Sequence, residues 1–422
     1  MAPHGIRGRV ELMAEHQVQA VPAAGDGAAG LAPQSPPPDD PGGGVIGRAN
    51  ALAEELLGPE TAGAAVLSPL SLLEALAPLM AAARGATADR LRSALFGGDA
   101  TRPLKEFIAL SRALCDTAGP LPQQVPAVPQ HKPLHRASAL WVMPGQTFSE
   151  HFASALGTVG VTLDKLDLSS PTATSHINDW VRARTEGLIP GILTTLPADT
   201  LAVATAALHF AARWAQGFDP AETEPGLFAR PDAPLAEVLF MRASISGAAY
   251  AQNGTLHAVL LPYQGGEFEF IALAPVPGQD PWTIVASAGQ RQTLSLLQRL
   301  RFAAVDRMKV ELPRFAIASP VIDLLPRLQH SRLASALGPD ADYGGATGQP
   351  WSVSGVFHRA MMRVDESGTE AAAATAILAS RSIRSSAPRF RAESPFLAVV
   401  RHRAPGAGVV AALVMDPCCP GQ

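Results

Sequence analysis

Apolar residues recur at helical spacing over residues 50–57 and again over 66–80, where Ser68 is placed to cap and Pro69 suits a first turn. Residues 137–143 read as a strand and 149–156 as a helix. A long apolar run occupies 201–210, and residues 259–263 and 268–273 pair as strands around Gln264-Gly265-Gly266. Helical spacing returns over 322–337. Residues 353–364 are strand-like in composition.

The stretch after residue 364 supports two periods at once. Its alanines favour a surface helix over residues 370–379. At period two, Thr369, Ala371, Ala373, Thr375, Ile377 and Ala379 share one small, uncharged face, with Glu370 opposite. Such a segment can enter a sheet without burying a charge. The strand-like residues before it and the polar, basic run of 380–392 after it suit an exposed reactive loop.

Length and composition change the picture in few respects. The 422 residues exceed the usual single-domain range, although sheet-rich folds run longer as one unit. Hydrophobic residues at 47% suffice for a large core, and a net charge of −4 argues against a nucleic-acid partner. Three cysteines, two of them the adjacent Cys418 and Cys419, do not make a disulfide framework. Residues 1–44, rich in Pro, Gly and Ala, read as a disordered arm with no signal peptide or membrane anchor evident. Pro133 separates His131 from His135, which favours two solvated histidines over a metal pair. No nucleophile elbow, zinc-helix motif or phosphate loop occurs, so an enzyme, a metal and a cofactor are not expected.

The run Asp365-Glu366-x-Gly368-Thr369-Glu370-Ala371-Ala372-x-x-Thr375 resembles the hinge of the serpin family of protease inhibitors. Further motifs extend the resemblance over residues 45–417. They are Ser68-Pro69-x-Ser71, Asn178-x-Trp180-Val181 followed by Thr185, Gly187 and Ile189, Trp214 with Phe218-Asp219-Pro220, Leu312-Pro313-Arg314-Phe315, and residues 394–400 with 409–417, which resemble the family's paired closing strands. The resemblance implies an α+β serpin fold of about nine helices around three β-sheets with an exposed reactive loop. Residues 45–417 would form that domain, and 418–422 a tail. A gap is expected in the central sheet between the strand ending near Trp214 and the one ending near Val364.

The function implied is a suicide substrate of a target serine or cysteine protease, acting as a monomer with no membrane role. The loop would be cleaved, stay acyl-linked to the protease and insert as a new strand, which calls for the small residues Thr369, Ala371, Ala372, Ala373 and Ala374. Family spacing puts the scissile bond fourteen residues past Gly368, between Ser382 and Ile383, with Arg381 and Arg384 as alternatives in a shifted register. A chaperone, storage or structural binding role is the alternative function. The compartment is open, cytoplasmic by sequence and extracellular by resemblance.

Trp214 would lie at the top of the central sheet, although a tryptophan beside an apolar strand also suits plain core. His358 would lie in its middle. Two positions depart from the family pattern: Ala206 stands where an asparagine partners that histidine, and Ala412 replaces a glycine. Ser68 and Ser71 are candidate replacement partners for His358, which is equally read as an ordinary core histidine.

Overall fold

The 201–210 run forms a strand because its residues have packing partners on both faces, and it sits at the centre of the largest sheet. The computed structural model describes residues 52, 56, 65–96, 134–230, 233–284, 302–338, 340–369, 388–403 and 408–417, all within one compact unit of residues 41–422. In this sheet β2 (Leu134–Val142) pairs with β3 (Thr162–Lys165) and antiparallel with β4 (Ala202–Phe210). Next comes β15 (Gly355–Val364), parallel to β4 from Gly355 beside Val203 to Ala360 beside Leu208. Beyond Ala360, β16 (Gly368–Thr369) pairs with Val364 on one side and with β5 (Ala212–Arg213) on the other. The expected open gap is therefore corrected. The two strands are paired along their lower course, and their upper ends are bridged by the hinge itself.

Two further sheets surround this one, giving an α+β architecture. A seven-stranded sheet runs β1 (Ala65–Leu67), β19 (Gly408–Val414), β18 (Phe396–His402), β10 (Phe268–Pro275), β9 (Leu256–Pro262), β8 (Ala249–Gln252) and β11 (Ala303–Ala304). A four-stranded sheet runs β17 (Arg389–Arg391), β12 (Met308–Pro313), β7 (Ala233–Ile245) and β6 (Glu224–Arg230). The turn between β9 and β10 uses Gly265 and Gly266 at φ of 86° and 73°, a region that an L side chain rarely adopts.

Helix α1 (Pro69–Ala82) starts as its sequence predicts, with the Ser68 side chain accepting from Ser71 N and Pro69 in the first turn. It packs under the central sheet, where Leu72, Leu76 and Leu79 join Leu140, Ala204 and Val356 in one core. Helices α2 (Gly85–Phe96) and α3 (Glu150–Thr158) flank it, and α4 (Ala173–Arg184) covers the opposite face through Ile177 and Val181 against Trp141 and Val203. The helix expected over 322–337 is broken. Ile322 and Asp323 pair with β15 instead, and Asp323 Oδ1 accepts from Leu325 N and Val356 N, which leaves the single turn Leu325–Leu328 and a 3-10 turn Ala334–Ala336. A side chain that satisfies backbone donors outside a helix competes with the helix.

Candidate functional site

The first residues of the hinge are held at the top of the central sheet. After β15, Asp365 turns the chain. Its Oδ1 accepts from Ser367 N at 2.9 Å, from Ser367 Oγ at 2.6 Å and from Gly368 N at 3.3 Å. The turn delivers Gly368 beside Arg213 and Thr369 beside Ala212. A Cβ at Gly368 would lie 2.0 Å from the Ala212 carbonyl oxygen, so the close approach of the two backbones requires glycine.

Trp214 reads this turn from both its backbone and its ring. Its N–H donates to Ser367 O at 3.0 Å, and its indole Nε1 donates to Asp365 O at 2.9 Å. The ring stacks on Tyr263 at 4.8 Å and 7° and meets Phe218 and Phe270 edge-on. Tyr263 Oη in turn lies 2.5 Å from Thr369 Oγ1, a contact closed off from solvent. Burial pushes the Tyr263 phenol up, partly opposed by the Thr369 bond, so the group stays a neutral hydroxyl. Trp214 is thus both core and site.

Glu366 closes the other side of the turn. It is 7% exposed, pairs with Arg314, and accepts from Thr223 Oγ1 at 2.7 Å. Burial alone pushes its carboxyl up, but the bonds from Arg314 and Thr223 outweigh that and hold it below the usual carboxylate range.

In the middle of the sheet the backbone ladder is continuous, but side-chain bonding around His358 is sparse. His358 is fully buried and Ala206 is its partner across the β4–β15 pair. Its Nε2 accepts from the Ser68 backbone N–H at 3.4 Å, while its Nδ1 makes no hydrogen bond of good geometry among the described residues, the Ala206 backbone being only a weak neighbour. Burial pushes the imidazole down to about 4, and the Ala206 backbone offsets this only in part. Ser68 Oγ is engaged elsewhere, donating to Val409 O at 2.6 Å. Ser71 does not replace the missing asparagine either, since its Oγ is buried without a partner among the described residues. Ala412, the other departure, is buried in β19 between Val66 and Ala398. The solvated reading of His135 is corrected as well: it sits on β2 with its side chain 13% exposed, stacked on His209 at 5.8 Å and 3.7 Å from Glu186.

Of the expected hinge, Glu366, Gly368 and Thr369 are brought together with Trp214. Glu370, Ala371, Ala372, Ala373, Ala374 and Thr375, and the bond candidates Arg381, Ser382, Ile383 and Arg384, lie outside the described residues. Sequence reasoning missed Tyr263, Arg314 and Thr223 as site residues, and it placed Asp365 in the hinge without seeing that it turns the chain. Asp365 carried a signal, since an aspartate two residues before a serine and three before a glycine favours an Asx turn. Tyr263 carried none, because its partner Thr369 is 106 residues away.

Comparison with known proteins agrees over nearly this whole length. The sequence model of a family described as "Serpin (serine protease inhibitor)" matches residues 49–417. The chain is 29% identical over 364 residues to Serpin-ZXA of Oryza sativa subsp. japonica, covering 83% of this chain and 89% of that protein. It is 28% identical over 349 residues to leukocyte elastase inhibitor A of Mus musculus, covering 79% and 88%. Among solved structures, human glycosylated kallistatin superposes with a TM-score of 0.72 at 22% identity, over 90% of this chain and 100% of that one. Thyroxine-binding globulin in complex with thyroxine does so with a TM-score of 0.71 at 21% identity, over 88% and 98%. These two structures share the fold.

Proposed function

Since this chain belongs to the serpin family, we propose that it inhibits serine-type endopeptidases as a suicide substrate. The observation that carries this reading is the docking of Gly368 and Thr369 as a two-residue strand between β15 and β5. The hinge thereby stands in register at the top of the seam, and Glu370 and the four alanines that follow it are next in line. Residues 45–417 form the inhibitory unit, with 1–44 and 418–422 outside it, and it acts as a monomer.

The chemistry belongs to the protease. Its nucleophile attacks the loop carbonyl and expels the amine of the new C-terminal fragment, leaving the loop acyl-linked. The freed segment then adds to the central sheet as a strand between β4 and β15, and the attached protease is carried along and distorted before water completes hydrolysis. Ser382–Ile383 is the bond proposed for a protease with a small pocket, and Arg381 or Arg384 for one with an acidic pocket. The name of the mouse relative, an elastase inhibitor, supports the small-pocket assignment.

The test is incubation with elastase-like and trypsin-like proteases, followed by denaturing electrophoresis and mass analysis of the released fragment. A stable complex releasing a fragment that starts at Ile383 is expected. A fragment starting at Ser382 or Ser385 would make the inhibitor arginine-directed. Thr369→Arg would present a guanidinium to the sheet interior and turn the inhibitor into a substrate. Clean cleavage of the parent chain with no complex and no gain in thermal stability would instead support a non-inhibitory binding role.

A further inference from the structure

This inference rests on the insertion reading and concerns what holds the central sheet shut. Admitting a strand between β4 and β15 requires the two to part by about 4.8 Å. One side of that seam is anchored to the rest of the molecule. Helix α1 follows directly on β1, is bonded through Ser68 Oγ to Val409 O on β19, and is fixed at its far end by Gly345 N to Ala82 O at 2.9 Å. β15 is held on its other edge by β13 (Phe315–Ala318) and β14 (Ile322–Asp323). The opposite side is the block β3–β2–β4, in which β3 is the sheet edge among the described residues. Opening moves this edge block across α1.

Against that motion stands a polar cluster in an otherwise apolar contact. Glu74 lies mid-helix in α1, 1% exposed, among Leu72, Leu73, Ala75 and Leu76. One carboxylate oxygen accepts from Arg136 Nη1 at 2.5 Å and the other from Ser138 Oγ at 2.5 Å. Both partners are on β2, within the edge block. Separating them would leave a carboxylate and a guanidinium in the interior without each other, which is the costly way to break a buried pair. Burial pushes the Glu74 carboxyl up, and the pairing with Arg136 and Ser138 offsets this only in part.

Besides the β4–β15 backbone pairing itself, the side-chain ties that cross or flank the seam are weaker. The Ser68–His358 contact is a single bond of 3.4 Å to an imidazole, and position 206 supplies no side-chain partner. On the front, Arg359 Nη1 on β15 makes one bond to Gly191 O at 2.8 Å from a half-buried side chain. We infer that Glu74, with Arg136 and Ser138, is a lock that holds the edge block β3–β2–β4 on α1 and sets the rate at which the central sheet opens to accept a strand. These are positioning residues: they touch neither the loop nor the protease.

The experiment uses the full-length protein and, as probe, a synthetic peptide of residues 369–380 of this chain, whose uptake is followed by native electrophoresis and mass spectrometry. Glu74→Gln is expected to take up peptide about tenfold faster than the parent chain. Ser138→Ala, which keeps the ion pair and folds under milder demands, is expected to fall between the two. Glu311→Gln serves as the control for general destabilisation, because Glu311 pairs with Arg242, Arg389 and Arg391 in the four-stranded sheet. Unchanged or slower uptake by both lock variants overturns the lock, and so does equal acceleration by Glu311→Gln. If the parent chain takes up no peptide at all, the insertion reading itself fails.

Discussion

At the top of the seam Asp365, Glu366, Ser367 and Thr369 all hydrogen-bond, and Trp214 binds two backbone carbonyls of the same turn. A few residues below, His358 Nδ1 and Ser71 Oγ are buried without a well-formed hydrogen bond among the described residues. Both regions lie against the strand β15 and both exclude water, so exposure does not explain the contrast. Buried polar groups left unpaired are uncommon in native folds, because each forgoes a bond it makes in water. The top is therefore over-determined and suited to holding a hinge in register. The side chains around His358 add little to the β4–β15 backbone ladder that closes the middle, which suits a sheet that must part to receive a strand.

The comparison breaks most sharply at Gly368. In Gly368→Val the added Cβ would meet Ala212 O, a backbone atom within the sheet, and relief requires β16 to leave its place. A loss of about 3 kcal/mol is expected, measured by denaturant unfolding, together with proteolytic sensitivity appearing near residue 368. Wild-type stability in this variant would mean that the docked hinge contributes nothing.

Acid separates the regions next. The imidazole of His358 is held at about 4 in the fold and returns to its ordinary 6.5 on unfolding. Between these values the unfolded chain binds protons that the fold does not, so stability is retained above about 6.5 and lost as the pH falls toward 4. The loss from this residue is about 2 kcal/mol at pH 5. His257, buried by Phe390 and likewise pushed down to about 4, adds a similar loss away from the seam. His358→Asn should therefore remove only part of the slope of stability against pH over this range. The top responds lower, since Glu366 sits below the usual carboxylate range and its anchoring is lost only as the pH falls through that depressed value. A slope unaltered by the substitution would mean that His358 does not resist protonation.

How far the sequence disclosed this contrast depends on whether a contact is local. The cap of α1 by Ser68 and the strand at 355–364 follow from capping chemistry and composition within a few residues, and the closing pair of β18 and β19 from the family resemblance. Gly368 and Trp214 were legible through the hinge and strand motifs. The bond from Thr369 to Tyr263 was not, nor was the role of the Ser68 backbone N–H as the donor to His358, because backbone donors carry no residue identity. Helical spacing over 322–337 was overridden by a side chain, Asp323, whose bond to Val356 N becomes visible only once β15 lies beside it. Glu74 did leave a mark, a carboxylate in the middle of an apolar helix, whose meaning depended on Arg136 lying opposite.

The smallest effects sharpen the comparison best, because they ask the same chemical question at both places. Thr369→Val removes a buried hydroxyl at the top with little change of volume. It leaves the Tyr263 phenol without its partner in a site closed to water, so a loss of about 2 kcal/mol is expected. Ser71→Ala removes a buried hydroxyl in the middle. There the oxygen has no partner among the described residues to orphan, and the cap is untouched because Ser71 contributes its backbone N–H to Ser68 Oγ. Deleting it relieves the desolvated group at the expense of one small atom of packing, and a gain of about 1 kcal/mol is expected. Paired unfolding curves for the two variants give the result as a difference of sign, which a uniform error in either magnitude cannot reverse. Destabilisation by both would show that Ser71 is satisfied in solution and that the middle of the seam is bonded as fully as the top.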